Sequence, residues 1–209
     1  MLIETVRRFS RVAQGVTADA RSGAYRETIV NDVGLGKYFE GTANGQTFVA
    51  ANPAGQALSV ASATATGLIL SNPAGSGKAM AILQIDIGLT VGPTGVGAVC
   101  LFANVNPVAA AVVHTTPLIP RPCALGTSGL PAALVDSAAT LPVAPVIVRN
   151  LMGIHWVTAN AVVANMSIHD DVGGSIVVTP GCAVSVQSLT TANTANTSMT
   201  WAEVDWPLA

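Results

Sequence analysis

The stretch TGLILSNPAGSGKAMAILQIDIGLTV, Thr66 to Val91, admits two readings, and they lead to different folds. Its GSGK, Gly75 to Lys78, looks like a phosphate-binding loop, which would make this an α/β nucleotide-binding chain. Such a loop needs G-x-x-x-x-G-K-[ST], because backbone N–H groups wrap the phosphates and the hydroxyl meets Mg²⁺. Aligned on Gly77-Lys78, Asn72 stands where the first glycine belongs and Ala79 where the hydroxyl belongs. Pro73 also removes one N–H from the cradle. The nucleotide reading fails, and the flanking apolar runs become two strands. In the second, Leu83, Ile85 and Ile87 share one face, with Ile82, Gln84 and Asp86 on the other. NPAG occurs at Asn52–Gly55 and again at Asn72–Gly75, each time between apolar runs. Asn-Pro favours turn initiation, so GSGK reads as a hairpin turn with Lys78 facing solvent.

Working outward, the chain from residue 42 reads as β throughout. GQTFVAA and QALSVAS precede the quoted stretch; GAVCLFANVN follows it. APVIVRNLMGIHWV, AVVANMSIHD, GSIVVTP, CAVSVQSLT and SMTWAEVDWP complete the set, with Met199, Trp201, Glu203 and Asp205 on one face of the last. About ten strands with no helix-period body predict an all-β chain, a β-sandwich or jelly roll. Residues 107–145, rich in Pro, Ala and Ser, are expected to form long loops. Residues 1–41 lack strand patterning and read as an N-terminal arm ahead of a domain spanning 42–209.

The charge distribution separates the same two segments. Of 209 residues only 10% are charged, half are apolar, and aromatics make up 4%. Residues 1–40 hold eleven of the twenty charged residues, and the remaining 169 hold nine. A freely tumbling domain keeps itself soluble with interspersed surface charge, so a body this bland is expected to be covered by neighbours. No window reaches the roughly 18 uninterrupted apolar residues of a spanning helix. MLIETVRRFSRVAQ places arginines where a signal peptide would be apolar. The expectation is a chain made in the cytoplasm, with no membrane partner. Net charge is −2 and body cations are scarce, which argues against nucleic acid. The basic residues Arg7, Arg8, Arg11, Arg21 and Arg26 of the arm are the candidate partner contacts.

Chemistry is sparse. GTSGL, Gly126 to Leu130, departs from a nucleophile elbow at its last position and lies in the Pro/Ala-rich segment. His169 and Asp171 share a strand face, and His155 could complete a His₂-carboxylate set, but an isolated pair of this kind reads as a polar strand end. Glu203 and Asp205 share a face without a partner base. Trp156, Trp201 and Trp206 read as core or interface anchors. Cys100, Cys123 and Cys182, odd in number and without C-x-x-C spacing, read as free thiols, Cys100 and Cys182 as small core residues within strands. The expectation is a non-enzymatic chain with no cofactor and no metal.

Two stretches carry a family resemblance. GLILSNPAGSGKAMAILQIDIGL (67–89) resembles a strand–NPAGSGK–strand hairpin of phage jelly-roll proteins. TPGCAVSVQSLTTANTANTSMTWAEVDWP (179–207) resembles the closing strands of the same group. Together they cover about a quarter of the chain, and the whole is similar to the capsid decoration (cement) proteins of short-tailed bacteriophages. The resemblance implies a virion structural protein on the capsid surface. It would bind the major capsid protein as a homotrimer and carry no catalytic residues. The alternative is a receptor-binding or fibre-tip module that uses residues 107–145 and Trp156 to bind a cell-surface glycan.

Overall fold

The computed structural model describes residues 37–91, 97–104, 111–154 and 167–206. A short helix, α1 (Phe39–Ala43), precedes β1 (Thr47–Ala51), β2 (Gln56–Leu58), β3 (Thr64–Ser71), β4 (Lys78–Val91), β5 (Gly97–Asn104) and β6 (Val113–Leu118). Then come β7 (Arg121–Pro122), β8 (Leu134–Thr140), β9 (Val146–Ile154), β10 (Ser167–Val178), β11 (Ala183–Ser188) and β12 (Asn193–Asp205). They form two six-stranded antiparallel sheets of a β-sandwich. The first runs β10-β4-β12-β1-β7, with β2 also on β12, and the second β6-β8-β3-β11-β5-β9. The compact unit holding both sheets spans Lys37–Ala209, so it takes in the last residues of the expected arm.

The quoted stretch forms two strands, but not a hairpin. β3 belongs to the second sheet and β4 to the first, so NPAGSG is an arch that carries the chain across the sandwich. The earlier NPAG is different again. β1 and β2 both pair with β12, at Ser198–Ala202 and Asn193–Ala195, and Asn52–Gly55 is the interruption between them. The motif sets a local bend, and the strands around it decide what that bend connects.

The predicted facing of β4 is corrected in its first half. Gln84 pairs with Asp171 and Thr200, while Ile82 pairs with Ile176 and Trp201, so β12 skips Leu83 and β10 sets Val172 to Ser175 opposite it. Leu83 is the extra residue of a bulge, which switches the alternation. Ile82 therefore faces the core with Ile85 and Ile87 instead of opposing them. Residues 107–145 also hold more order than expected, namely β6, β7 and β8. Pro117 and Pro122 sit in two of these strands, β6 at one end of the second sheet and β7 at one end of the first, where a missing N–H is tolerated.

The main core lies between the sheets. Trp201, Met199, Ile82, Ile85 and Ile87 of the first meet Leu68, Leu70, Leu101, Val184 and Val186 of the second. Each such side chain, fully buried, stabilises by about 1.5–3 kcal/mol. All six residues of β11 are buried, because the second sheet also carries a smaller cluster of Ala65, Ile69, Ala139, Leu141 and Ala183. β11 still alternates in sequence, with Val184 and Val186 toward the main core and Ser185 and Gln187 on the other face, where Gln187 donates to Ser185 Oγ and to the Ser62 carbonyl. Gly67 permits the close packing of β3 on β11: its φ is +130°, and a Cβ there would lie 2.3 Å from the Val186 carbonyl oxygen.

Candidate functional site

Asn72 shows what the NPAGSGK loop does. It is buried, and its amide donates to the carbonyls of Lys78 and Val178, each at 2.8 Å. Its side-chain oxygen accepts from Ser76 Oγ. The Ser76 and Lys78 N–H groups donate to the Pro73 carbonyl and to Ser76 Oγ, and Gly77's carbonyl accepts from Trp206 N–H. A phosphate cradle needs free amides at a helix N-terminus. Here the amides of Ser76 and Lys78 are spent within the loop, and a strand follows. Lys78 points outward and pairs with Asp205, which raises its pKa. Asn52 plays a similar anchoring part in the first copy, donating to Thr197 Oγ1 at 2.9 Å.

The outer face of β10, β4 and β12 carries a polar ladder. His169 Nδ1 lies 2.6 Å from Asp86 Oδ1, and Ser198 Oγ donates to Asp86 Oδ2 at 2.9 Å. Serine thus meets the carboxylate, not the imidazole, and His169 Nε2 faces the Gln84 amide at 3.2 Å. A nucleophile–base pair needs the hydroxyl on the imidazole, so this is a satisfied cross-strand network. Asp171, on the same face, is held by Lys37 Nζ at 2.7 Å and the Tyr38 hydroxyl at 2.6 Å. Those bonds, Lys37's first, keep its carboxyl below the usual carboxylate range and raise Lys37 in turn. Burial, more than the bond to Asp171, pushes the Tyr38 phenol up. His155 and Trp156 lie outside the described residues, and among the described residues no group of three His, Cys, Asp or Glu side chains is placed to hold a metal ion. Beside the ladder an open groove of about 320 Å³ is lined by Asn52, Asp86, His169, Asn196, Ser198 and neighbouring backbone.

Two further pairs and one buried carboxylate fasten strands to one another. Arg149 of β9 makes two bonds to Asp170 of β10, at 2.7 and 2.8 Å, joining an end strand of one sheet to an end strand of the other. His114 of β6 lies 2.6 Å from the fully buried Asp136 of β8. The buried Glu203 carboxylate accepts the backbone N–H groups of Ala132 and Ala133, each at 2.9 Å, and Trp201 Nε1 at 3.2 Å. Glu203 is therefore an anchor for the chain entering β8. Of the predicted thiols, Cys100 is buried in β5, while Cys182 is half-buried just before β11. Burial pushes the Cys100 and Cys123 thiols up. GTSGL lies in the exposed connection between β7 and β8, not between a strand and a helix.

Among the described residues, Glu40 and Arg121 are the charged side chains left without a partner. Apolar side chains, in contrast, stand out from the segment between β6 and β9: Leu125 is 86% exposed, Leu130 83%, Ile119 70% and Val113 62%. Val146, Ile147 and Val148, consecutive in β9, are exposed as well. The sequence pointed to 107–145 as a surface excursion, but not to β9, whose apolar run reads like any core strand. Arg7, Arg8, Arg11, Arg21 and Arg26 lie outside the described residues. No described helix is long and apolar enough to cross a membrane. No family model, curated protein or solved structure matches the chain.

Proposed function

We propose that the chain is a non-enzymatic virion structural protein, a decoration or cement protein that binds the major capsid protein on a phage capsid surface as a homotrimer. One observation carries this reading: the described surface keeps nearly all its charges in internal pairs while leaving large apolar side chains exposed between β6 and β9. A surface of that kind favours protein contacts and gives little repulsion between closely packed copies. A cement protein works by binding the assembled lattice better than free subunits, and an oligomer multiplies modest contacts through multivalency. The five arm arginines are the candidate contacts to capsid subunits or to neighbouring copies.

Co-sedimentation with shells assembled from the major capsid protein of the same virion tests the reading. Saturable binding to shells, and none to unassembled capsid subunits, is the expected result. Shells that fail to bring the protein down at micromolar concentration would overturn it. A second reading, a fibre-tip module for a cell-surface glycan, has the amide- and hydroxyl-lined groove beside Asp86 in its favour. Saturable binding of host polysaccharide, lost in Asp86→Ala, would select it.

A further inference from the structure

The two sheets end differently. The first is guarded at its ends: β7 is two residues long and includes Pro122, β2 has three residues, and β10 carries His169, Asp170 and Asp171. Short strands, proline and charge are the usual protections of a sheet edge. The second sheet ends on β9, nine residues long, with Val146, Ile147 and Val148 all exposed. Its one charged residue, Arg149, is occupied by Asp170. At the opposite end, β6 is exposed over Val113 to Pro117; Pro117 guards its last part, which leaves Val113 to Thr116 open, and His114 is occupied by Asp136. Neither end brings an unpaired charge to a neighbour.

We propose that these two ends are one interface: β9 of one copy abuts β6 of a second copy, head to tail. The strand count supports this pairing. Six strands, each antiparallel to the next, make β6 and β9 run in opposite directions, so a copy added end to end continues the antiparallel order. A two-fold β9–β9 contact would cover one end and leave β6 open, whereas head-to-tail contact covers both and, at the three-fold rotation of the proposed homotrimer, closes into a ring. Register shifts interrupt both strands, at Val148 and Leu151 of β9 and at Thr115 of β6, so a long ladder is not available. The contact is led by side chains, with Val146, Ile147 and Val148 set against Val113 and its neighbours. β-branched pairs of this kind are the favoured cross-strand contacts.

The inference rests on the assembly reading but fails separately from it. Light scattering of the full chain, wild type and with Ile147→Lys or Val113→Lys, is the test. The wild type is expected to be a ring several times 21.0 kDa, and each variant a monomer of 21.0 kDa. Mixing the two variants restores a single β9–β6 contact, so a species of twice that mass is expected from the mixture and from neither alone. A monomeric wild type at all concentrations overturns the inference. So does a monomeric Ile147→Lys beside an unaffected Val113→Lys, the pattern of a two-fold β9 contact. Hydrogen exchange on the wild type reads the same point without substitution. Amides of both β6 and β9 should lose protection on dilution, and protection independent of dilution would mean the chain covers these edges itself. Shell binding by a monomer overturns this inference and the homotrimer with it but leaves capsid binding standing; rings that ignore shells overturn the capsid reading alone.

Discussion

Replacing Glu203 tests whether a buried charge in β12 holds the entry to β8. The carboxylate is 8% exposed and receives three donors: the Ala132 and Ala133 amides and the Trp201 indole. Hydrogen bonds to a charged acceptor contribute about 1.5–3 kcal/mol each, and a buried donor left unpaired costs about 1–3 kcal/mol. The three share one acceptor, so the losses do not add in full. Glu203→Ala is expected to cost about 3–5 kcal/mol, more than one lost charge-assisted hydrogen bond and less than the sum of three. Glu203→Gln keeps the shape. It retains one oxygen for two of the donors but sets an N–H₂ against the third, at a cost of about 1–3 kcal/mol. Urea denaturation at fixed chain concentration measures both, since oligomerisation makes stability depend on concentration. With a slope of about 1–3 kcal/mol/M, the alanine variant's midpoint falls by about 1 M or more. An alanine variant within about 1 kcal/mol of wild type would refute the anchor, because no buried-donor penalty is that small for three groups. Equal losses for alanine and glutamine would refute the role assigned to the oxygens.

Gly67→Ala should destabilise by more than about 2 kcal/mol, since it combines positive φ with a Cβ 2.3 Å from a carbonyl oxygen, while Gly88→Ala, with nothing within 4 Å, should stay within about 1 kcal/mol of wild type by the same denaturation assay. Asn72→Ala removes a buried side chain with three hydrogen-bond partners and should cost about 2–4 kcal/mol, whereas Lys78→Ala breaks an exposed ion pair and should leave the urea midpoint where the wild type has it. Neither the wild type nor Lys78→Ala should gain melting temperature on adding ATP and Mg²⁺. Asp171 titrates below the ordinary carboxylate range because Lys37 and Tyr38 favour its charged form. Its contribution to stability is present above the unfolded-state pKa and is lost as pH falls through the depressed folded value. In an NMR titration Lys37→Met should move the Asp171 midpoint upward, and an unmoved midpoint would remove Lys37 as the cause.

The strands were legible in the sequence because each carries its own apolar pattern and punctuation. Their connections were not. NPAG at Asn52 and NPAG at Asn72 are the same four residues, yet one separates two strands on the same neighbour and the other crosses between sheets. That difference is set by which strands their flanks pair with, a non-local property. The bulge at Leu83 was hidden for a similar reason: Ile82-Leu83 reads as two alternating positions until β12 is seen to skip one. Glu203 was read as half of a carboxylate pair with Asp205. Its partners are backbone amides about 70 residues away, and amides leave no mark in a sequence.

The charge inventory links these local facts to the assembly reading. A chain with few charges can spread them over its surface for solubility or use them as fasteners inside the fold. Here Arg149–Asp170 joins the two sheets, His114–Asp136 ties β6 to β8, Lys37–Asp171 ties the start of the compact unit to β10, and Lys78–Asp205 ties β4 to β12. Used as fasteners, they leave Arg121, among the described residues, as the one unpaired charge beside the apolar side chains exposed between β6 and β9. Repulsion cannot keep copies of such a surface apart, and packing is what remains to decide the contact. The test of that logic is to add charge without touching a fastener. Leu125→Lys and Leu130→Lys, both at positions exposed by more than 80%, should leave the urea midpoint of a dilute sample unchanged. If this surface is where partners are met, they should weaken shell binding; binding that survives both substitutions would place the contact elsewhere on the body or on the arm.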